Sequence, residues 1–360
     1  MKTAIFCCAD LSIIGGAERF MLDTARALDA DLIVLSAEES VLKIYGRDVR
    51  IISLNKKIPK EPFGSLAAKR IFEKIDFTGQ YDFFIAFDHA SMFALKKHKP
   101  NLFYCFGPRR ELYDMYYHVI ENQDNFIKKY AVKTWLDFYR KIDRNFVKNH
   151  IQNIVCISHN VRNRVYKYYQ KDAWVVYPPV HAELYEYKPS EGYWLSVNRI
   201  DNWKRIDLQF EAFRRLPDKT LKIVGSINQT PKIKKILATR PANVELLGNR
   251  SEKELRELYS RCEGVIATSI DEDYGLTPAE AMASGKPVVA VKEGGYLETV
   301  LDGVTGMLVA PRIDELVDGI LEISKQPETY REACLERAKL FDYVVFRENL
   351  KKIIISLIKS

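Results

Sequence analysis

Glu272 and Glu280 bracket the stretch Glu-Asp-Tyr-Gly-Leu-Thr-Pro-Ala-Glu, two carboxylates with seven residues between them around a glycine turn and a helix start. Gly264–Ile270 before it reads as a buried strand, 281–285 after it carries a helix to a glycine stop, and Lys286–Val291 reads as the next strand. The pair therefore belongs to a loop at the carboxyl end of a parallel strand, where open α/β sheets place their ligands. Backbone N–H groups of Leu276, Thr277 and the residues after them open the helix, and such a terminus attracts phosphate. A phosphate cradle beside a carboxylate that accepts from two sugar hydroxyls suits a nucleotide-sugar. A structural alternative stays open. Thr277-Pro278-Ala279-Glu280 also fits a capping box, with Thr277 at the N-cap and Glu280 reaching back.

Arg199 and Lys204 follow another strand in Val-Asn-Arg-Ile-Asp-Asn-Trp-Lys-Arg, and two cations there can neutralise a diphosphate leaving group, although basic loops of this kind are often only solvated. Gly15-Gly16 stands between the first strand and the first helix, where the missing β-carbon lets backbone approach a phosphate or sugar; a plain tight turn has the same residues. Asp88-His89 and Arg109-Arg110 end two further strands and make acceptor-side candidates, His89 as a catalytic group, though a lone histidine is more often structural. No dinucleotide fingerprint, Walker loop, serine elbow, H-E-x-x-H or metal cluster is visible in the sequence, so neither metal nor bound cofactor is expected.

Positioning these groups requires a doubly wound α/β chain. Strands and helices alternate from Thr3 to Tyr177, Pro178-Pro179 with the polar stretch to Gly192 reads as a linker, and a second series begins at Tyr193. The 360 residues suit two domains, 1–180 and 190–340, with a final helix near 345–360 whose stripe Leu350, Ile353, Ile354, Leu357, Ile358 could bury against either domain. The glycine-bearing loop is expected over Leu11–Gly16, and 110–150 as mostly helical. With 47% apolar and 29% charged residues, no apolar run long enough to span a bilayer, no signal-peptide pattern and six cysteines without a C-x-x-C pair, a cytoplasmic location is expected. Net charge is +7, and residues 1–180 hold 28 Lys and Arg against 20 Asp and Glu, whereas 181–360 hold 27 against 28. That asymmetry suits an anionic partner. Within 110–150, Tyr116, Tyr117, Phe126, Tyr130, Trp135, Phe138 and Tyr139 alternate with Lys128, Lys129, Lys133, Arg140, Lys141 and Arg144. This pattern fits peripheral attachment to an anionic membrane face; a packed helical subdomain is its rival.

Taken in order, GGAER (15–19), CISHNV (156–161), VVYPPV (175–180), SVNRIDNWKRID (196–207), NVELLGNRS (243–251), EDYGLTPAEAMASGKPVVA (272–290) and GGYLETVLDGVTGMLV (294–309) carry a resemblance over nearly the whole chain. It resembles the retaining glycosyltransferases of family four, which have the GT-B fold: two facing Rossmann-like domains with parallel sheets and an interdomain cleft. The resemblance implies an acceptor-binding first domain and a donor-binding second one, with the final helix 345–360 packing back on the first. It implies that Arg199 and Lys204 bind the donor diphosphate, Glu272 contacts the transferred sugar and Glu280 binds ribose. The amides of Gly275, Leu276 and Thr277 would hold phosphate or sugar, Asn249 and Arg250 would lie near the base, and Gly15 and Gly16 would serve the donor. GGAER and the Tyr-Cys-x-x-Pro-x-Arg pattern at 104–110 are closest to mannosyltransferase-like members, pointing to GDP-mannose or a UDP-sugar and a glycan or lipid-linked acceptor. Two departures stand out: Phe106 where those members usually carry His, and Thr268-Ser269 where Pro-Ser is common. A nucleotide-sugar 2-epimerase of the same fold, or a non-catalytic sugar-nucleotide or nucleic-acid binder, are the alternatives; nucleic acid is not the expected partner.

Overall fold

The structure, a computed structural model, describes residues 1–11, 15–59 and 63–359. Part of the loop expected over Leu11–Gly16, residues 12–14, lies outside the described residues. The chain divides into two units, Met1–Tyr177 with Arg347–Ser360, and Pro178–Phe346.

In the first unit, β1 (Thr3–Leu11), β2 (Asp31–Ala37), β3 (Ile51–Ser53), β4 (Phe83–Ala86), β5 (Asn101–Cys105), β6 (Asn153–Cys156) and β7 (Trp174–Val175) form one sheet in the order β3-β2-β1-β4-β5-β6-β7. In the second, β8 (Tyr193–Val197), β9 (Thr220–Val224), β10 (Val244–Gly248), β11 (Gly264–Ala267), β12 (Val288–Val291) and β13 (Gly306–Val309) are ordered β10-β9-β8-β11-β12-β13. Every neighbouring pair is parallel. The doubly wound α/β expectation is borne out. Runs such as Phe83–Ala86 and Val288–Val291 are buried at every position, because helices cover both faces of such a sheet. Trp194, Phe210, Phe213, Leu221, Ile266 and Val289 form the core of the second unit.

In each sheet the strand order reverses once, between β1 and β4 and between β8 and β11. Loops leaving the carboxyl ends of those strands diverge to opposite sides and leave a crevice. Many of the candidate residues lie at these two places, Gly15, Gly16, Asp88 and His89 after β1 and β4 and Arg199, Lys204, Glu272 and Gly275 to Thr277 after β8 and β11, whereas Arg109 and Arg110 follow β5 and Asn249 and Arg250 follow β10.

Two local expectations are corrected, and the mostly helical reading of 110–150 is borne out with a division among its aromatics. Residues 178–192 are part of the second unit rather than a free linker. The Lys188 N–H donates to the Ser260 carbonyl (3.0 Å), Lys286 donates to the Lys188 carbonyl (2.7 Å), and the Tyr187 ring lies beneath both Lys286 and Arg331. The stretch 110–150 holds two helices, Tyr116–Glu121 and Phe126–His150, whose aromatics divide: Tyr116 and Tyr139 are core with Leu112 and Leu136, while Tyr117, Phe126 and Tyr130 are exposed. In the last helix, Tyr343–Lys359, Leu350 and Ile354 are buried, Ile353 and Leu357 half-buried and Ile358 exposed, so the stripe is narrower than its spacing suggests.

Candidate functional site

A cleft with about 400 Å³ of empty space, part of it open to solvent, lies where β8 and β11 part, lined by their ends (Val197, Asn198; Ile266 to Ser269) and by Lys204, Glu272, Gly275, Leu276, Thr277 and Tyr296. The helix Leu276–Ala283 starts at its wall, with Gly275 as N-cap in the left-handed region at φ +103°. Only glycine takes that turn readily, and a β-carbon there would stand 3.0 Å from Tyr296 and from Thr299 Oγ1. The Thr277 hydroxyl donates to the Val197 carbonyl (3.0 Å), tying the helix start to the end of β8. Glu280 is buried and accepts from the Tyr259 hydroxyl at 2.8 Å, and burial, with the nearby Glu280 carboxylate adding to it, pushes the Tyr259 phenol well up. The capping-box reading of 277–280 is therefore corrected. The cap is Gly275, and both Thr277 and Glu280 bond to distant elements.

Lys204 and Glu272 meet inside the cavity, Nζ to Oε2 at 2.8 Å, each about a quarter exposed. An ion pair held out of bulk water loses much if either partner is removed, because the survivor stays partly desolvated. Thr268, at the place where the resembled family often has Pro, donates to the Lys204 carbonyl (2.7 Å) and accepts from Gln209 (2.8 Å). Proline could make neither bond. Arg205 grips Glu293 through two bonds (2.9 and 3.0 Å), and Glu293 also accepts from the Asp271 N–H (3.2 Å). Tyr296, buried, donates to Ser269 Oγ at 2.9 Å and stands 3.5 Å from Glu272 Oε2. Burial, and then the Glu272 charge, drives its phenol well above its ordinary range.

The other expected donor residues lie outside this lining. The Arg199 side chain is 66% exposed and pairs with Asp201 (3.0 Å), whose other oxygen accepts from the Trp203 N–H (2.9 Å). Asn249 and Arg250 are exposed in the loop after β10, with Arg250 donating to the Asn249 carbonyl (3.1 Å). Asn198 Oδ1, by contrast, is enclosed at the cavity and has no hydrogen-bond partner among the described residues.

In the first unit the candidates bond to other residues rather than to one another. The Gly15 N–H donates to Glu18 (3.0 Å), and Gly16 begins the first helix. Asp88 accepts from the N–H groups of Cys8 (2.6 Å), Ala90 (2.9 Å) and Ser91 (2.8 Å) and from the Ser91 hydroxyl (2.8 Å). Arg109 donates to Ser65 (2.6 Å) and Arg110 to Asp114 (2.8 Å). His89 is half-buried beside Phe103, its Nδ1 enclosed without a partner among the described residues. Phe106, at the position where mannosyltransferase-like members carry His, packs against Phe20 and Phe87.

Residues 185–341 match the family described as Glycosyl transferases group 1. An uncharacterized glycosyltransferase of Methanocaldococcus jannaschii is 28% identical over 190 residues, 52% of this chain and 54% of that protein. An alpha-1,3/1,6-mannosyltransferase of Dictyostelium discoideum is 33% identical over 108 residues, 29% of this chain and 26% of the relative. The chain thus spans about half the length, or less, of these curated relatives. Among solved structures, Anabaena HepE in complex with UDP and glucose superposes with a TM-score of 0.75 at 20% identity, covering 98% of this chain and 99% of that one. The fold is that of the GT-B glycosyltransferases. No helix among the described residues is long and apolar enough to cross a membrane.

Tyr296, Arg205, Glu293 and Asn198 were not singled out from the sequence. Asn198, Arg205 and Tyr296 lie within quoted motifs and Glu293 immediately precedes one, but nothing local says that their side chains turn toward Glu272 or the Lys204 loop.

Proposed function

We propose that this chain is a retaining glycosyltransferase that moves a sugar from a nucleoside-diphosphate sugar, UDP- or GDP-linked, to a glycan or lipid-linked acceptor without a metal. The observation that carries this reading is the Lys204–Glu272 pair beneath the start of the helix Leu276–Ala283. A cation, a carboxylate and the N–H groups of a helix terminus converge on one cleft. Lys204 and the amides of Gly275, Leu276 and Thr277 would take the diphosphate and stabilise it as it leaves. Arg199 would add charge from the rim, Glu272 would accept from sugar hydroxyls, and Glu280 would hold ribose. Asn249 and Arg250 would flank the base. Retention would follow from attack on the face of the departing diphosphate, with a phosphate oxygen as base, so no side-chain nucleophile is needed. The UDP in HepE supports a UDP-sugar, and the mannosyltransferase relative supports mannose. The 2-epimerase alternative gains no support from these relatives.

Acceptor binding is proposed for the first unit through Asp88, Arg109 and Arg110, with His89 as a catalytic group and Gly15 and Gly16 serving the donor, and the acceptor is proposed to be held at an anionic membrane on the cytoplasmic side. Tyr117, Phe126, Ile127 and Tyr130 are 67–80% exposed at one end of the two helices of 110–150, next to Lys128, Lys129 and Lys133. Large apolar side chains settle at a lipid interface, and each nearby Lys adds about 1 kcal/mol on anionic lipid. Lys128 and Lys133 each also pair with an aspartate, Asp124 and Asp137, at 3.1 Å, which tempers that attraction.

Thermal shift with UDP, GDP, ADP and their sugars tests the donor. A compound that binds only the folded chain raises the melting temperature, and an unmoved curve with every compound would remove the reading. Sedimentation with liposomes tests the membrane. Binding is expected to rise with anionic lipid, fall with salt, and drop when Lys128, Lys129 and Lys133 are changed together to Glu. Protein that stays in the supernatant at low salt would leave a soluble acceptor.

A further inference from the structure

Lys204 and Glu272 each adjoin a residue whose backbone is left-handed. Arg205 follows the lysine at φ +47°, and Asp271 precedes the glutamate at φ +46°. Among the described residues of Pro178–Phe346 these are the only non-glycine residues with positive φ. A β-carbon makes that region costly, so such a backbone persists only where surrounding contacts hold it, and it gathers at working sites.

Arg205 is also unusual as a cap. It is the N-cap of the helix Ile206–Arg214, as Gly275 is of Leu276–Ala283, and both caps are left-handed although an N-cap is ordinarily extended. Glycine takes that turn freely at 275, whereas at 205 the same turn carries an arginine. Its guanidinium closes on Glu293 through two bonds, Nη1 to Oε2 at 2.9 Å and Nη2 to Oε1 at 3.0 Å, with each side chain about a quarter exposed. Such a two-bond pairing fixes direction as well as distance. Glu293 Oε2 accepts from the Asp271 N–H too, at 3.2 Å. One carboxylate thus reaches both left-handed residues.

The loops it joins are those that carry the ion pair. The Ile270 N–H donates to the Trp203 carbonyl at 2.8 Å, and the Thr268 hydroxyl to the Lys204 carbonyl at 2.7 Å. Just past Glu293, the Gly295 N–H donates to the Glu272 carbonyl at 2.7 Å, and a β-carbon on Gly294 would collide with that carbonyl. Neither Arg205 nor Glu293 is among the residues lining the cleft. They brace Lys204 from behind. A lysine on a braced loop meets a diphosphate without first having to order its own backbone, which lowers the cost of binding.

We infer that Glu293 is a positioning residue: through Arg205 it fixes the backbone at Lys204, so that the ammonium is preset for the diphosphate of the donor. The inference rests on the proposed donor site and deepens it, giving a residue outside the cleft a part in diphosphate affinity.

Isothermal titration of the full chain with UMP, UDP, GMP and GDP tests it, with Lys204→Ala as the reference. That variant is expected to lose more affinity for the diphosphate than for the monophosphate. Glu293→Gln keeps the size of the side chain but cannot take both guanidinium bonds. Arg205→Gly keeps the left-handed turn without the clasp. Each is expected to repeat the Lys204→Ala pattern, weakening the diphosphate about tenfold, the weight of roughly one charge-assisted hydrogen bond. The two together should cost no more than either alone, and Glu293→Gln should cost nothing further in Lys204→Ala, because all three act on one contact. Losses divided between monophosphate and diphosphate unlike those of Lys204→Ala would mark a general loosening and overturn the inference. So would unchanged diphosphate affinity in Glu293→Gln beside a weakened Lys204→Ala, or a Glu293→Gln loss undiminished in Lys204→Ala. Lys204→Ala that binds the diphosphate as wild type does, or wild type that binds none of the four compounds, would remove the donor site itself, and the inference with it.

Discussion

The two units share a sheet plan and differ in how they treat the residues at its reversal. In Pro178–Phe346 the charged and polar side chains after β8, β11 and β12 converge: Lys204 on Glu272, Arg205 on Glu293, Tyr296 on Ser269. In Met1–Tyr177 the corresponding candidates do not bond to one another: Asp88 accepts from Cys8, Ala90 and Ser91, Arg109 donates to Ser65, and Arg110 to Asp114. Charge divides the same way. The first unit, with Arg347–Ser360, holds 32 Lys and Arg against 21 Asp and Glu, a net +11; the second holds 23 against 27, a net −4. A site that binds a fixed diphosphate group needs converging donors whose geometry is set in advance. A basic surface with exposed aromatics needs only sign and area. The family match, confined to residues 185–341, falls on the unit of the first kind.

Removing residues 347–360 should separate the units most strongly. Leu350 and Ile354 are fully buried, and exposing two such side chains costs about 3–6 kcal/mol. Amide exchange should accelerate across β1 to β7 while β8 to β13 keep their protection, because those residues cluster with the first unit only. Equal loosening of both units would show that the tail is not the property of one.

Lys204→Ala attacks the convergent site instead. With a nucleotide-sugar as substrate, kcat/KM is expected to fall by about 100-fold, on the order of 3 kcal/mol. Arg199→Ala should cost less, since that side chain is two-thirds exposed and already paired with Asp201. Near-normal turnover in Lys204→Ala would remove the ion pair from the chemistry and leave it as a structural clasp.

The strands were legible because parallel strands buried on both faces are short, continuous apolar runs, and the carboxyl-end loops followed from them. What local sequence could not show is which distant atom a polar side chain finds. The pattern Thr-x-x-Glu at 277–280 reads as a cap, but Thr277 is drawn to Val197 and Glu280 to Tyr259, eighty and twenty-one residues away. Pro178-Pro179 and the polar run behind it read as a linker because composition does not reveal that Tyr187 sits beneath Lys286 and Arg331. The helices Glu39–Tyr45 and Phe63–Lys74 were not read at all, being short or flanked by basic and proline-bearing sequence. Lys204 and Glu272 were each singled out, yet their 2.8 Å contact spans 68 residues and no spacing rule predicts it.

The smallest expected effect is a pH dependence belonging to the first unit. His98 is fully buried between β1 and β4, with its ring near Phe6 and Phe84. Its Nδ1 lies 2.6 Å from the Ala94 carbonyl, and its Nε2 accepts the Phe77 N–H at 2.9 Å, so the neutral ring satisfies both partners. Protonating Nε2 would lose the second bond and bury a charge. Burial accordingly lowers the His98 pKa from 6.5. The unfolded chain then binds the proton more readily than the folded one, so stability is complete above about 6.5 and declines as pH falls from there toward the depressed value. Denaturation at pH 7.5 and at pH 5.5, monitored by exchange in β1 and β4, should show wild type losing more stability than His98→Gln, which has no ring to protonate. The same comparison read in β8 and β11 should show no difference between the two proteins. A His98-dependent slope in the second unit would mean that the units unfold as one, and the contrast between them would then hold for their sites but not for their stability.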